Sequence, residues 1–126
     1  MIILDYRDRR PIYEQIVERF QELMVSDVLE EDSQLPSVRS LAMDLSINPN
    51  TIQRAYAELE RQGYIYSVKG KGSFVADNSH IRDSKKEMVL KKQEETATDG
   101  CLLGIEKEKL YGIIDQVYSR GGKSDD

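Results

Sequence analysis

Three residues, Ser46-Ile47-Asn48, are all that separates two short stretches of helical hydrophobic periodicity, and that brevity constrains the chain more than any other feature. Before the joint, Val38, Leu41, Ala42 and Leu45 recur at helical spacing. After it, Ile52, Ala55, Tyr56 and Leu59 fall at i, i+3, i+4 and i+7, a single buried stripe. Two amphipathic helices joined so tightly can only turn sharply against each other, which is a helix-turn-helix. The punctuation agrees. Pro36 keeps Leu35 out of the first helix and Ser37 is its expected N-cap. Asn48 can accept the free amides of the second helix, Pro49 suits its first position, and Gly63 supplies the left-handed residue that ends it, so a helix over about residues 49–62 is predicted.

With the stripe buried, Asn50, Arg54, Ala57 and Arg61 come to the opposite side of that second helix, with Thr51 and Gln53 on its flanks. Beyond Gly63 the period changes. Residues 64–68 and 73–76 read as two strands around Lys69-Gly70-Lys71-Gly72, a basic glycine turn whose backbone can come close to a phosphate or a minor groove. This hairpin is a wing.

Residues 35–76, with Leu-Pro-Ser-x-Arg at 35–39, Asn-Pro-Asn-Thr at 48–51, Arg-Ala-Tyr-x-Glu-Leu-Glu at 54–60 and Gly-x-Gly-Ser-Phe-Val at 70–75, resemble the GntR family of bacterial transcription regulators, and specifically its short YtrA branch. The resemblance implies a winged helix-turn-helix, a homodimer and a repressor, with operons for ABC transporters as frequent targets of that branch. It implies that Arg39 and the wing residues Gly70 and Lys71 touch DNA, with Lys69 assisting. Some relatives carry arginine where this chain has Pro49 and Gln53, so their base preferences do not transfer.

A net charge of −5 at first argues against a nucleic-acid partner. Divided by segment, it does not: residues 35–76 hold five basic against three acidic groups, whereas residues 1–34 hold four against nine and residues 77–126 nine against eleven. Phosphate neutralisation depends on local charge, so the acidic remainder only lowers non-specific affinity. Single cysteine and histidine residues, Cys101 and His80, make neither an internal disulfide nor a Cys/His zinc site. Cys101 is expected to be a small buried core thiol, and His80 a surface linker residue. No apolar run approaches the ~20 residues that span a bilayer and no signal-peptide core is present, so a cytoplasmic protein without a membrane partner is expected. Neither a nucleophile elbow, a Walker motif nor a metal cluster is present, so no enzymatic activity and no cofactor are expected.

The chain opens on Ile2-Ile3-Leu4, an apolar segment for the core or a partner subunit, followed by an arm bearing Arg7, Arg9 and Arg10. Pro11 starts a helix striped by Ile12, Ile16, Phe20, Leu23 and Met24, with Tyr13 and Val17 beside them, as the third member of a three-helix core. Its acidic face, Glu14, Glu18 and Glu22, is expected to point away from DNA. Residues 30–33 read as a polar connection without chemistry. After the wing, the capping box Ser84-x-x-Glu87 predicts a helix from residue 84 to about Leu103, ending at Gly104, with Ala97, Gly100 and Cys101 on a close-packing face. A final helix carries Leu110, Ile113, Ile114 and Val117, and residues 123–126 are expected to fray.

The fold expected is mainly α with a small β-hairpin: a winged helix-turn-helix DNA-binding domain over residues 1–77 and a two-helix dimerisation and regulatory tail over residues 78–126. Two helices of this size do not bury their stripes on each other alone, so Ala97, Cys101, Leu110, Ile113, Ile114 and Val117 are expected to pair with a second copy. A two-fold dimer makes the target an inverted repeat of double-stranded DNA. Asn48, Asn50, Thr51, Gln53 and Arg54 complete the DNA-facing set, with Asn50 and Gln53 suited to adenine edges or phosphates, Arg54 to guanine or the backbone, and Thr51 to a phosphate. A small-molecule effector would have to bind between domains or at the dimer interface. The competing reading is a winged-helix protein-interaction module, against which Arg54, Arg61 and the basic wing argue.

Overall fold

The computed structural model describes residues 2–121, so the fraying expected of residues 123–126 lies outside the described residues. It contains α1 (Ile12–Val25), α2 (Val38–Leu45), α3 (Pro49–Arg61), β1 (Ile65–Val68), β2 (Gly72–Val75), α4 (Ser79–Leu102) and α5 (Lys107–Gly121). The chain divides into two compact units, one ending at Arg82 and one starting at Asp83.

In the first unit the core is a continuous set that includes Ile16, Val17, Phe20 and Met24 of α1, Leu41 and Ala42 of α2, Ile52, Ala55, Tyr56 and Leu59 of α3, and Tyr64, Ile65 and Val75 at the hairpin. Each helix therefore gives its predicted stripe to one interior. Phe20 and Tyr56 meet edge to face, 5.8 Å between centroids and 81° between planes, the arrangement that ring quadrupoles favour. The Tyr56 hydroxyl, deep in this interior, donates to the Pro36 carbonyl at 2.7 Å and so fixes the entry to α2. Ser37 caps α2, its Oγ accepting from the Ser40 amide at 3.0 Å. The sharp joint after α2 is made by Ser46 in the left-handed region, φ 56°.

The N-terminal segment belongs to the core of its own chain. Ile2 is buried and Leu4 packs against the core, while Ile3 is exposed. What holds it is Gln15, 5% exposed, whose Oε1 accepts from the Asp5 amide at 2.9 Å and whose Nε2 donates to the Asp5 carbonyl at 3.1 Å. One buried amide thus satisfies itself on both sides of one backbone residue.

Two expectations need correction. The fourth helix starts at Ser79, five residues before the capping box, because the Asp77 carboxylate accepts the Ser79 amide at 3.0 Å and the Asn78 carbonyl takes the Arg82 amide at 2.8 Å. Ser84 and Glu87 lie inside the helix. Arg82 then bolts this first turn to the end of α1, with Nε on the Val25 carbonyl at 3.0 Å and a terminal nitrogen on the Asp27 carboxylate at 2.6 Å.

The second correction concerns Cys101, which is exposed instead of buried. The packing face of α4 in the second unit is Gly100, where an added Cβ would lie 3.2 Å from Leu110 Cδ1 and 3.9 Å from Ile105 Cβ. Cys101, one residue on, is turned about 100° away from that contact. Leu110 and Ile114 are half-buried, Ala97, Ile113 and Val117 are exposed, and α5 has no buried residue. Among the described residues the stripe of the last helix is therefore only partly covered.

Candidate nucleic-acid interface

The outer surface of α3 is fixed by what its inner surface buries. Ile52, Ala55 and Leu59 are wholly buried and Tyr56 nearly so, which holds the helix rigidly and leaves Asn50, Gln53, Arg54, Ala57 and Arg61 exposed with Thr51 half-buried. The helix starts as its sequence prescribes: Asn48, at φ −66° and ψ 129°, accepts the Asn50 amide on its Oδ1 at 2.8 Å, and Pro49 occupies the first turn. The Asn48 oxygen is therefore engaged within the protein, and its Nδ2 remains as the group for an outside acceptor.

Two of the cations on this face have partners. Arg61 pairs with Glu58 through Nε at 2.9 Å. Hydrogen bonds from Arg61 and Gln62 hold the Glu58 carboxyl down at about 2, from an ordinary 4.5, so it remains a carboxylate through the whole neutral range. Arg54 makes no such ion pair. Its Cζ lies 3.9 Å from the centre of the Tyr13 ring, near the start of α1. Asn50, Thr51 and Arg54 share one open cleft with Pro11, Ile12 and Tyr13.

The wing is a three-residue turn, Lys69-Gly70-Lys71, between antiparallel strands in the register Ile65↔Val75 to Val68↔Gly72. The Lys71 amide closes it on the Val68 carbonyl at 2.9 Å. Gly70 at φ 79° and Gly72 at φ 123° take conformations that side-chain-bearing residues rarely adopt. Lys69 and Lys71 are both exposed. Support comes from a segment that looks featureless in the sequence. Backbone bonds Asp32 N to Val75 O, Val75 N to Ser33 O and Leu35 N to Ser73 O add residues 32–35 beside β2, and Gln34 Nε2 donates to the Lys71 carbonyl at 2.8 Å. On the other side Tyr66 stacks on Phe74 at 5.6 Å and donates to Asp32 Oδ1 at 2.8 Å. The residue 30–33 connection is thus part of the wing's scaffold.

All nine residues expected to face DNA fall in the first compact unit: Asn48 to Arg54 on the start and exposed side of α3, Lys69 to Lys71 on the turn, and Arg39 exposed in the first turn of α2. Tyr13 and Gln34 were not legible as site residues. Tyr13 reads as a neighbour of an apolar stripe, and Gln34 meets a carbonyl 37 positions further on, a relation no local pattern reports. The six tail residues lie in the second unit. Among the described residues no group of His, Cys, Asp and Glu is arranged to hold a metal ion, and no helix is long and apolar enough to cross a membrane.

Comparison with known proteins agrees with this geometry. Residues 12–75 match the model of the gntR family of bacterial regulatory proteins. The HTH-type transcriptional repressor YtrA of Bacillus subtilis (strain 168) is 36% identical over 130 aligned residues that cover 100% of both chains. A GntR family transcriptional regulator from Listeria monocytogenes superposes with a TM-score of 0.67 at 38% identity, over 90% of this chain and 98% of that one. The DNA-binding domain of AraR, solved in complex with operator ORE1, superposes with a TM-score of 0.52 at 29% identity, over 60% of this chain and 93% of that one. This chain is accordingly a member of the gntR family of bacterial regulatory proteins, a transcription regulator whose DNA-binding element is a winged helix-turn-helix.

Proposed function

We propose that the protein is a homodimeric repressor that binds an inverted-repeat operator, with α3 in the major groove and the wing turn against the neighbouring backbone. The observation that carries this reading is the division of α3 into a completely buried side and an exposed side of Asn50, Gln53 and Arg54, with the two wing lysines in the same unit. Amides and guanidinium groups on a rigid helix are what major-groove base edges and phosphates accept. Thr51 and the α3 N-terminus suit a phosphate, and Asn48 contributes by capping that terminus and offering Nδ2. Arg39, Lys69, Gly70 and Lys71 add backbone contacts, which fix register without reading sequence. In this reading residues 1–77 contact DNA and residues 78–126 pair the chains.

Pairing is supported by the exposed apolar residues of α5, Ile113, Val117 and Tyr118, the last 75% exposed. Large apolar side chains gathered on one short helix are the mark of an association surface. A two-fold pairing through Ala97, Cys101, Leu110, Ile113, Ile114 and Val117 presents two recognition helices to two half-sites. A small-molecule effector would act by changing that presentation, and the resemblance to YtrA makes a transporter operon the first target to examine.

Selection from a pool of random duplexes at near-physiological salt tests the proposal, with Asn50→Ala and Lys71→Ala alongside. The expected result is enrichment of one inverted repeat, relaxed at specific positions by Asn50→Ala and weakened uniformly by Lys71→Ala. Enrichment of no sequence, or an asymmetric single site bound by one chain, overturns it.

A further inference from the structure

Arg54 is an exposed arginine on the recognition helix, and its contact with Tyr13 comes from a different element, the first turn of α1. The Tyr13 ring is half-buried and packs against the core, so α1 determines where it stands. A guanidinium over a tyrosine face is attracted by the ring quadrupole and loses much of its rotamer freedom before any ligand arrives. The alternative partner is on its own helix. Glu58, four residues on, keeps a carboxylate that feels Arg54 through space, although its hydrogen bonds go to Arg61 and Gln62. At that spacing the two side chains are neighbours on the helix surface, so Glu58 competes with the Tyr13 ring for the guanidinium.

We propose that Tyr13 is a positioning residue for Arg54: its ring holds the guanidinium off Glu58 and in the cleft shared with Asn50 and Thr51, set to meet a backbone phosphate of the operator. The inference rests on the DNA-binding reading above and deepens it. A planar cation in the cleft that Thr51 also lines provides the donors a phosphate oxygen needs. Stacking rather than ion pairing leaves the N–H edge of Arg54 open for that contact, and no hydrogen bond to a protein acceptor is made by it among the described residues. The device fixes affinity through one phosphate and carries no base preference of its own.

A double-mutant cycle on the duplex the parent selects tests this, with parent, Tyr13→Leu, Arg54→Ala and the double variant measured across a salt series and Tyr13→Phe as the conservative control. Tyr13→Leu is expected to weaken binding about two- to fivefold with base preference unchanged, measured well below the melting midpoint of every variant so that the packing lost with the half-buried ring does not enter the comparison. Tyr13→Phe is expected to bind as the parent does. Arg54→Ala is expected to reduce the salt slope by about one, and in that background Tyr13→Leu has no further effect. In the free protein the Arg54 side-chain proton resonances should be shifted upfield by the ring, a shift kept in Tyr13→Phe and lost in Tyr13→Leu. Equal weakening by Tyr13→Leu in both backgrounds, or a Tyr13→Phe variant as weak as Tyr13→Leu, overturns the positioning role, because the tyrosine would then act on DNA by itself. A parent that enriches no duplex refutes the DNA-binding reading and this role with it, whereas additivity on a duplex the parent does select refutes this role alone.

Discussion

Replacing Asn48 by alanine removes the one side-chain bond that closes the start of the recognition helix. Pro49 has no amide to satisfy, and the Thr51 amide already has the Asn48 carbonyl at 2.9 Å. The Asn50 amide depends on Asn48 Oδ1 at 2.8 Å. The site is exposed, so water replaces part of the lost bond and the cost is about 1 kcal/mol, the middle of the range for N-caps. For a unit of 82 residues that corresponds to a drop of about 4–8 °C in thermal midpoint. Serine accepts the same amide nearly as well, so Asn48→Ser is expected to melt within about 1–2 °C of the parent. Thermal unfolding by circular dichroism, run on the three proteins in parallel, reads the difference. Asn48 does not stabilise the helix through its Oδ1 cap if Asn48→Ala melts with the parent, or if the serine and alanine variants lose the same amount.

Tyr56→Phe keeps the edge-to-face contact with Phe20 but leaves the Pro36 carbonyl without its partner, and chemical denaturation should show a loss of about 1–2 kcal/mol. The same buried phenol is pushed above its ordinary value of 10 by desolvation, and Tyr66 is raised by its bond to Asp32. Unfolded tyrosines give up protons near 10 while the folded ones keep them, so stability should hold below that pH and fall as pH rises beyond it, as denaturant midpoints across alkaline pH would register. Glu58 has the opposite sign: its folded value near 2 lies below the ordinary 4.5, so its contribution is present above the ordinary value and is lost as pH falls toward 2. Carboxyl carbon NMR should find it still ionised between those two values. Gly72→Ala places a Cβ 2.8 Å from Gln34 Nε2 at a φ of 123°, which should cost about 1–3 kcal/mol and loosen the wing, seen as a lower melting midpoint together with weaker duplex binding.

The parts of the fold legible in the sequence are those whose causes are local. The stripe from Ile52 to Leu59, the caps Ser37 and Asn48, and the positive φ of Gly63, Gly70 and Gly72 all follow from spacing and residue chemistry within a few positions. The candidate site was readable to the same extent, since the outer side of α3 is whatever its buried side leaves over. Contacts between distant segments were not readable. Gln34 and Asp32 look like members of a polar loop until β2 lies beside them, and Tyr13 looks like packing until α3 brings Arg54 over its ring. The start of α4 is not legible because Asp77, Asn78 and Ser79 can end a strand or start a helix, and in the structure Arg82 reaches back to α1 from the first turn of the helix. Cys101 reads as buried because small residues at close spacing mark a packing face, but that face is centred on Gly100.

The measurement closest to the central claim is guanine methylation interference, paired with hydroxyl-radical footprinting, on the duplex recovered by selection. If two copies each set α3 into a major groove, methylation at guanine N7 interferes in two symmetric clusters separated by one helical turn, about 10 base pairs, or a multiple of it. Backbone protection should flank each cluster where the wings rest. A single cluster, or protection without any interference in the major groove, would contradict the account.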